Sequence, residues 1–123
     1  MWLLFVLLCK HAIADLGLQH TIGGGHSKSE WISRAHIHYW HHGALTFIIM
    51  LLWPNIHVGW AFALAAFDYV VHWHIDYWKH CMQNWYGVKH PDDAYWWFAA
   101  VDQILHFATY FAMTSVVWYW ILQ

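Results

Sequence analysis

Four pairs of polar residues stand four positions apart inside otherwise apolar stretches: His11/Asp15, His38/His42, His72/Asp76 and Asp102/His106. Residues four apart share one face of a helix. A carboxylate or imidazole inside an apolar helix is costly unless that face turns toward partners, so each pair defines the inward stripe of its own helix. The pairs fall in four separate stretches, which predicts an all-α fold, a four-helix transmembrane bundle with a shared polar interior.

Composition agrees with that class. The 123 residues are 61% hydrophobic and 21% aromatic, and only 10% are charged, against roughly a quarter in soluble domains. The mean hydropathy of +0.33 is modest because twelve Trp, seven Tyr and thirteen His depress the index while remaining compatible with a lipid interface. A net charge of −2 lacks the basic face that nucleic acid requires, so no nucleic-acid partner is expected. Cys9 and Cys81 have no metal-ligand spacing and read as free thiols.

Punctuation along the chain divides it into helices at about 2–19, 28–53, 56–84 and 91–122, forming one integral membrane domain over 1–123. The first break is the glycine run Gly23–Gly25. Ser27 with Glu30 makes a capping box for the second helix, Pro54-Asn55 ends it, and Gly87 to His90 closes the third. Pro91 in a first turn, with Asp92 and Asp93 near the positive end of the helix dipole, opens the fourth. Met1 to Cys9 has no basic n-region and no small-x-small site, so it is expected to stay as the first span rather than act as a signal peptide. Each apolar stretch reaches the roughly 20 residues needed to cross the hydrocarbon, which gives four spans.

Lys28, Arg34, Lys79 and Lys89 flank the first and third connections, whereas the Pro54 turn and the two termini carry no Lys or Arg. The positive-inside rule then places both termini outside the cytoplasm. Trp2, Trp53, Trp60, Trp118 and Trp120 would mark the outer interface, and Trp31, Trp78, Trp85, Trp96 and Trp97 the inner one. Alternating helix direction brings all four polar pairs to the cytoplasmic half. The i,i+4 spacing does not require that common depth, so it is independent support for a single site.

An unpaired aspartate at mid-span costs about 2.5–3.5 kcal/mol, so Asp15, Asp76 and Asp102 together cost on the order of 9 kcal/mol. Protonation against histidine, an ion pair with Lys10 or Lys79, or a bound metal would offset it. Candidate ligands are His11, Asp15, His38, His42, His72, Asp76, Asp102 and His106. These exceed the need of one four-coordinate ion, which makes two ions plausible. Nitrogen and oxygen ligands without thiolate suit divalent Zn, Fe or Mn. Asp15, Asp76, Asp102 and Lys79 are the candidate catalytic residues: a carboxylate that does not bind metal as base, and Lys79, with Lys10 or Arg34, as the holder of an anionic group. A metal-free proton relay, or interhelical hydrogen bonds that merely hold the bundle together, would use the same residues. Among the other histidines, His20, His26, His57 and His90 read as solvated, and His36, His41, His74 and His80 either as residues able to orient ligands or as interfacial, aromatic-like side chains.

HxxxDxxxQ at 11–19, HxxxDxxK at 72–79 and DQxxH at 102–106 together resemble a family of small polytopic bacterial and phage inner-membrane proteins known only as a domain of unknown function. Leu16 departs from that family's usual Phe. The resemblance implies a multi-span, metal-binding protein and carries no reaction; more distantly the pattern is similar to membrane-bound metal-dependent hydrolases. The leading expectation is a metal-dependent hydrolase acting on a lipid or lipid-linked, anionic substrate among membrane lipids. His38-Tyr39-Trp40-His41-His42 also reads HxxHH, which resembles one box of membrane di-iron desaturases and hydroxylases. The third expectation is a non-enzymatic phage or cell membrane factor. Oligomerisation is compatible with each.

Overall fold

The computed structural model describes residues 2–18 and 28–122, without the side chains of residues 16 and 28–35. The glycine run, Gln19, His20, His26 and the Ser27/Glu30 box lie outside what is described. Four helices and no strand are present among the described residues: α1 (Trp2–Ala12), α2 (Lys28–Leu52), α3 (Val58–Tyr86) and α4 (Asp93–Val116). α1 continues as a π-helical turn, Ile13–Leu18, and α4 ends in a second, Val117–Ile121.

Helix ends follow local chemistry. Asn55 takes a positive φ of 64° in the tight turn between α2 and α3. His57 caps α3, its Nδ1 accepting from Gly59 N at 3.2 Å. His57 is exposed, as expected, and its cap is an additional structural role. Gly87 terminates α3 in the left-handed region at φ 65°, with Gly87 N donating to Asn84 O and Val88 N to Gln83 O. That pair of bonds is the Schellman arrangement. α4 begins two residues later than expected. Pro91 precedes the helix, Asp92 is the N-cap residue, and the Asp92 carboxylate accepts from Lys89 N at 2.9 Å rather than from the helix.

The helices run antiparallel to their sequence neighbours and bury one stripe each, at Leu3, Leu7, Lys10, His11 and Ala14 on α1 and its π turn, His38, His42, Thr46 and Met50 on α2, Leu64, Asp68, His72 and Asp76 on α3, and Asp102, His106, Tyr110 and Met113 on α4. Successive turns therefore stack as layers. An apolar layer of Leu3, Leu7, Met50, Leu64, Met113 and Val117 fills the end nearest the α2–α3 turn. Polar layers fill the rest. α2 and α3 share the largest interface. Their approach is close at Gly43, where an added Cβ would sit 3.4 Å from Ala65 O and from Tyr69 Cβ.

The outside is apolar. Phe62, Ile104, Phe111 and Trp118 are each more than 60% exposed, while ten polar or charged residues among those described are buried. Asp93–Ile121 is the one described helix long and apolar enough to cross a membrane by length and composition. The sequence expectation was four such spans. α2 and α3 are long enough, at 25 and 29 residues, but the buried His and Asp stripe lowers their apolarity.

Candidate metal centre

Two consecutive layers carry the chemistry, with one residue from each helix in each. The first is His11, His42, His72 and His106. Its rings are in mutual contact, with centroids 3.7 Å apart for His42/His72, 4.0 Å for His72/His106 and 4.8 Å for His11/His106. One turn further lie Asp15, His38, Asp76 and Asp102. Both layers follow from i,i+4 spacing on antiparallel helices, and all eight expected ligand residues come together.

Asp15 is the hub. Its Oδ1 accepts from His42 Nε2 at 3.0 Å and lies 3.4 Å from His38 Nε2 and 3.7 Å from His72 Nε2, while Oδ2 is 3.1 Å from His11 Nε2. Four imidazoles thus aim the same nitrogen at one carboxylate. The π turn carrying Asp15 begins two residues after His11; such turns recur at functional sites because they re-aim a side chain. Asp76 is a second hub, 3.6 Å from His72 Nε2, 3.8 Å from His106 Nε2 and 3.9 Å from His38 Nε2.

Hydrogen bonding leaves this cluster unfinished. His38 and His72 have no hydrogen-bond partner at either ring nitrogen, and His42 Nδ1, His106 Nε2 and Asp102 Oδ1 also lack one. Buried polar groups are nearly always paired, so a run of orphans needs an explanation. His106 supplies the clearest. Its Nδ1 donates to Asp102 O at 2.9 Å, and a carbonyl can only accept, so the neutral ring carries its lone pair on the unpartnered Nε2. That is the arrangement of a metal-binding histidine whose tautomer is set by its other nitrogen.

Donor atoms within reach of a single ion fall into three groups: His11, Asp15, His42 and His72; His38, His72 and Asp76; and Asp76, Asp102 and His106. Lys79 flanks the third, its Nζ 2.9 Å from Asp102 Oδ2 and 3.8 Å from Asp76 Oδ1. Gln103 reaches across to α1, its Oε1 3.2 Å from His11 Nε2.

Below the histidine layer, on its apolar side, sits a cluster the sequence reading did not assemble. Lys10 Nζ donates to Asp68 Oδ2 at 2.6 Å, to Thr46 Oγ1 at 3.0 Å and to the Tyr110 hydroxyl at 3.1 Å. Thr46 also donates to Asp68 Oδ2 at 2.5 Å. Lys10 is therefore committed inside the bundle and is not a holder of headgroups. The signal for this layer was present: Thr46, Asp68 and Tyr110 extend the His42, His72 and His106 stripes by one turn. The Tyr110 hydroxyl joins the two layers, 3.2 Å from His11 Nδ1.

The remaining histidines stand elsewhere. His36 bonds the Tyr69 hydroxyl, His74 Nδ1 donates to Val70 O at 2.6 Å, and His80 Nε2 accepts from Asn84 Nδ2 at 3.0 Å. His90 packs in the α3–α4 connection against Tyr95 and Trp96. His41 is half-buried and belongs to none of the three donor groups. Cys9 and Cys81 are free thiols.

No curated protein and no solved structure matches the chain. A family model described as a protein of unknown function (DUF3307) matches residues 3–122, a span that contains every residue of the two layers, and the chain belongs to that family.

Proposed function

We propose that this chain is an integral membrane protein whose His/Asp layers hold a divalent metal, and that it works as a metal-dependent hydrolase on a lipid or lipid-linked substrate. One observation carries the reading: eight nitrogen and oxygen ligand residues from four helices converge in a buried space where His38, His72 and His106 keep unpartnered nitrogens. Hydrogen bonds alone leave those atoms unsatisfied, whereas a cation takes up lone pairs and carboxylate charge together.

Bilayer placement of all four helices rests on the inverted distribution of polarity. A chain with charged groups at its centre and Phe62, Ile104, Phe111 and Trp118 on its outside is built for an apolar solvent. In that setting Trp2 and Trp120, 76% and 80% exposed, lie at the end that the charge pattern assigns to the outer interface, and Trp85 and Trp97 lie at the other. Since Asp102 engages Lys79, the inward bias rests on Lys28, Arg34 and Lys89, and both termini are placed outside the cytoplasm.

A divalent ion in such a site activates water and polarises a phosphoryl or acyl oxygen. The chain's own part is to orient it. Asp102 O fixes the His106 tautomer, Tyr110 holds the His11 ring through Nδ1 and leaves Nε2 facing Asp15, and Lys79 offers a positive charge at the rim of the third donor group. Hydrolysis fits better than di-iron redox chemistry because His41, which an HxxHH box would use, stands apart from the donors.

Elemental analysis of the detergent-purified protein tests this. Zinc or manganese at one or two equivalents is expected, and His72→Ala, which strikes two of the three donor groups, should lower metal affinity by more than the 10–100-fold typical of outer-shell changes. Iron with a near-ultraviolet oxo absorption would redirect the reading to oxidation. Metal-free protein from metal-replete cells, unable to take up added ions, would remove it.

A further inference from the structure

Resting on the metal-site reading above, we infer that the centre takes two divalent ions in sequence, and that the second enters only together with a phosphate-bearing ligand. The three donor groups do not permit three ions. The middle group borrows His72 from one neighbour and Asp76 from the other, so the largest non-overlapping set is two: His11/Asp15/His42/His72 and Asp76/Asp102/His106.

The two positions differ in donor number. The first has four protein ligands, three of them imidazoles around the Asp15 carboxylate, the number that a four-coordinate ion would need. The second has three ligands and keeps a position for something else. It also has a competitor, since Lys79 Nζ lies 2.9 Å from Asp102 Oδ2 and 3.8 Å from Asp76 Oδ1.

Charge decides the order. Inside the bundle the carboxylates of Asp15, Asp68, Asp76 and Asp102 face the ammonium groups of Lys10 and Lys79, with Lys10 bound to Asp68 and Lys79 to Asp102. With every carboxylate ionised, as ligation of a metal requires of Asp15, Asp76 and Asp102, the excess is two negative charges. One divalent ion in the four-ligand position cancels it. A second, alone, would leave two uncompensated positive charges in a low-dielectric interior and would repel Lys79, a cost of several kcal/mol per buried ion. A doubly charged anion removes that penalty, and a phosphate monoester matches it in charge and in oxygen donors. It can bridge the free position of the second ion and the Lys79 ammonium, which is 27% exposed and so lies on the accessible side of the site. The ligand class is therefore phosphate, whether carried on a lipid headgroup or free.

The test is metal stoichiometry of the full chain in detergent, titrated with Mn²⁺ or Zn²⁺ alone, with inorganic phosphate, and with short-chain phosphatidic acid in mixed micelles. One equivalent is expected without anion and two with it, the anion tightening the second ion by about 5–150-fold and the ion tightening the anion by the same factor. Asp102→Asn should abolish the anion-linked equivalent and keep the first. Lys79→Met should let the second ion bind more tightly without phosphate. If only phosphatidic acid recruits the second ion, the ligand is a headgroup; if inorganic phosphate suffices, the phosphate group alone is recognised. One equivalent under every condition, or two regardless of anion, overturns this inference and leaves the metal-site reading standing. Zero equivalents throughout removes both.

Discussion

The layer of Lys10, Thr46, Asp68 and Tyr110 and the layer of His11, His42, His72 and His106 are drawn from the same four helices, one turn apart on α2, α3 and α4 and on adjacent residues of α1, and are equally buried. They differ in completion. In the first, a cation meets its carboxylate at 2.6 Å and both neighbouring hydroxyls are bonded. In the second, imidazoles crowd around Asp15 and Asp76 with nitrogens unpartnered. Burial exacts the same desolvation in both places, so the difference shows what each layer is for. A closed network holds helices together, and an open one is shaped for something the polypeptide does not itself supply.

The largest effect should come from breaking the closed layer. Lys10→Met leaves Asp68 buried without its cation, and removing one partner of a buried ion pair typically costs about 3–5 kcal/mol. Unfolding of detergent-solubilised protein by a denaturing detergent would measure it. The double change Lys10→Met with Asp68→Leu should recover most of the loss, because an apolar pair of similar volume is often neutral in such a place. If the double variant were as unstable as the single one, Lys10 would matter for something other than neutralising Asp68.

The legibility of the two layers in the sequence was unequal for a physical reason. Histidine and aspartate four apart in an apolar stretch announce an inward face, so His11, Asp15, His38, His42, His72, Asp76, Asp102 and His106 could be read without coordinates. Lys10 is different. It neighbours His11 in sequence, off the i,i+4 series, and its partner Asp68 is 58 residues away on α3. Only the packing of the bundle, which seats α1 against α2 and α4 and sends Lys10 across the interior to α3, reveals that pairing. The α4 start was misplaced by two residues because Pro91 suits a first helical turn as well as the residue before an N-cap, and the Asp92 carboxylate chose Lys89 N. The π turn at Ile13–Leu18 had no sequence signal beyond Gly17. Its consequence, Asp15 turned toward four imidazoles, depends on tertiary contacts.

A smaller effect should come from the hydroxyl that connects the layers. Tyr110→Phe keeps the ring, which packs 5.6 Å from His11, and removes the oxygen between Lys10 Nζ and His11 Nδ1. Stability should fall by about 1 kcal/mol for the lost bond. Metal affinity should fall by about tenfold, since the His11 ring loses the partner that orients it. Competition against a chromophoric chelator reads the second quantity separately from the first. Unchanged affinity would mean that the histidine layer is held by its own contacts and that the two layers are independent.

The smallest effect on metal affinity sharpens the contrast most. Thr46→Val removes a hydroxyl that accepts from Lys10 and donates to Asp68, while Lys10 keeps its direct bond to the carboxylate and Asp68 keeps its cation. The expected loss of stability is about 1–1.5 kcal/mol, the net worth of an ordinary to charge-assisted bond. The Thr46 hydroxyl bonds Lys10 and Asp68, neither of which belongs to a donor group, so metal affinity should stay within about twofold, below the 10–100-fold that marks an outer-shell partner. Comparing this variant with Tyr110→Phe places two hydroxyls of the same network side by side, both bonded to Lys10 and only one bonded to a ligand histidine. Equal losses of metal affinity would show that the closed layer acts on the open one through its overall rigidity rather than through the single Tyr110–His11 contact.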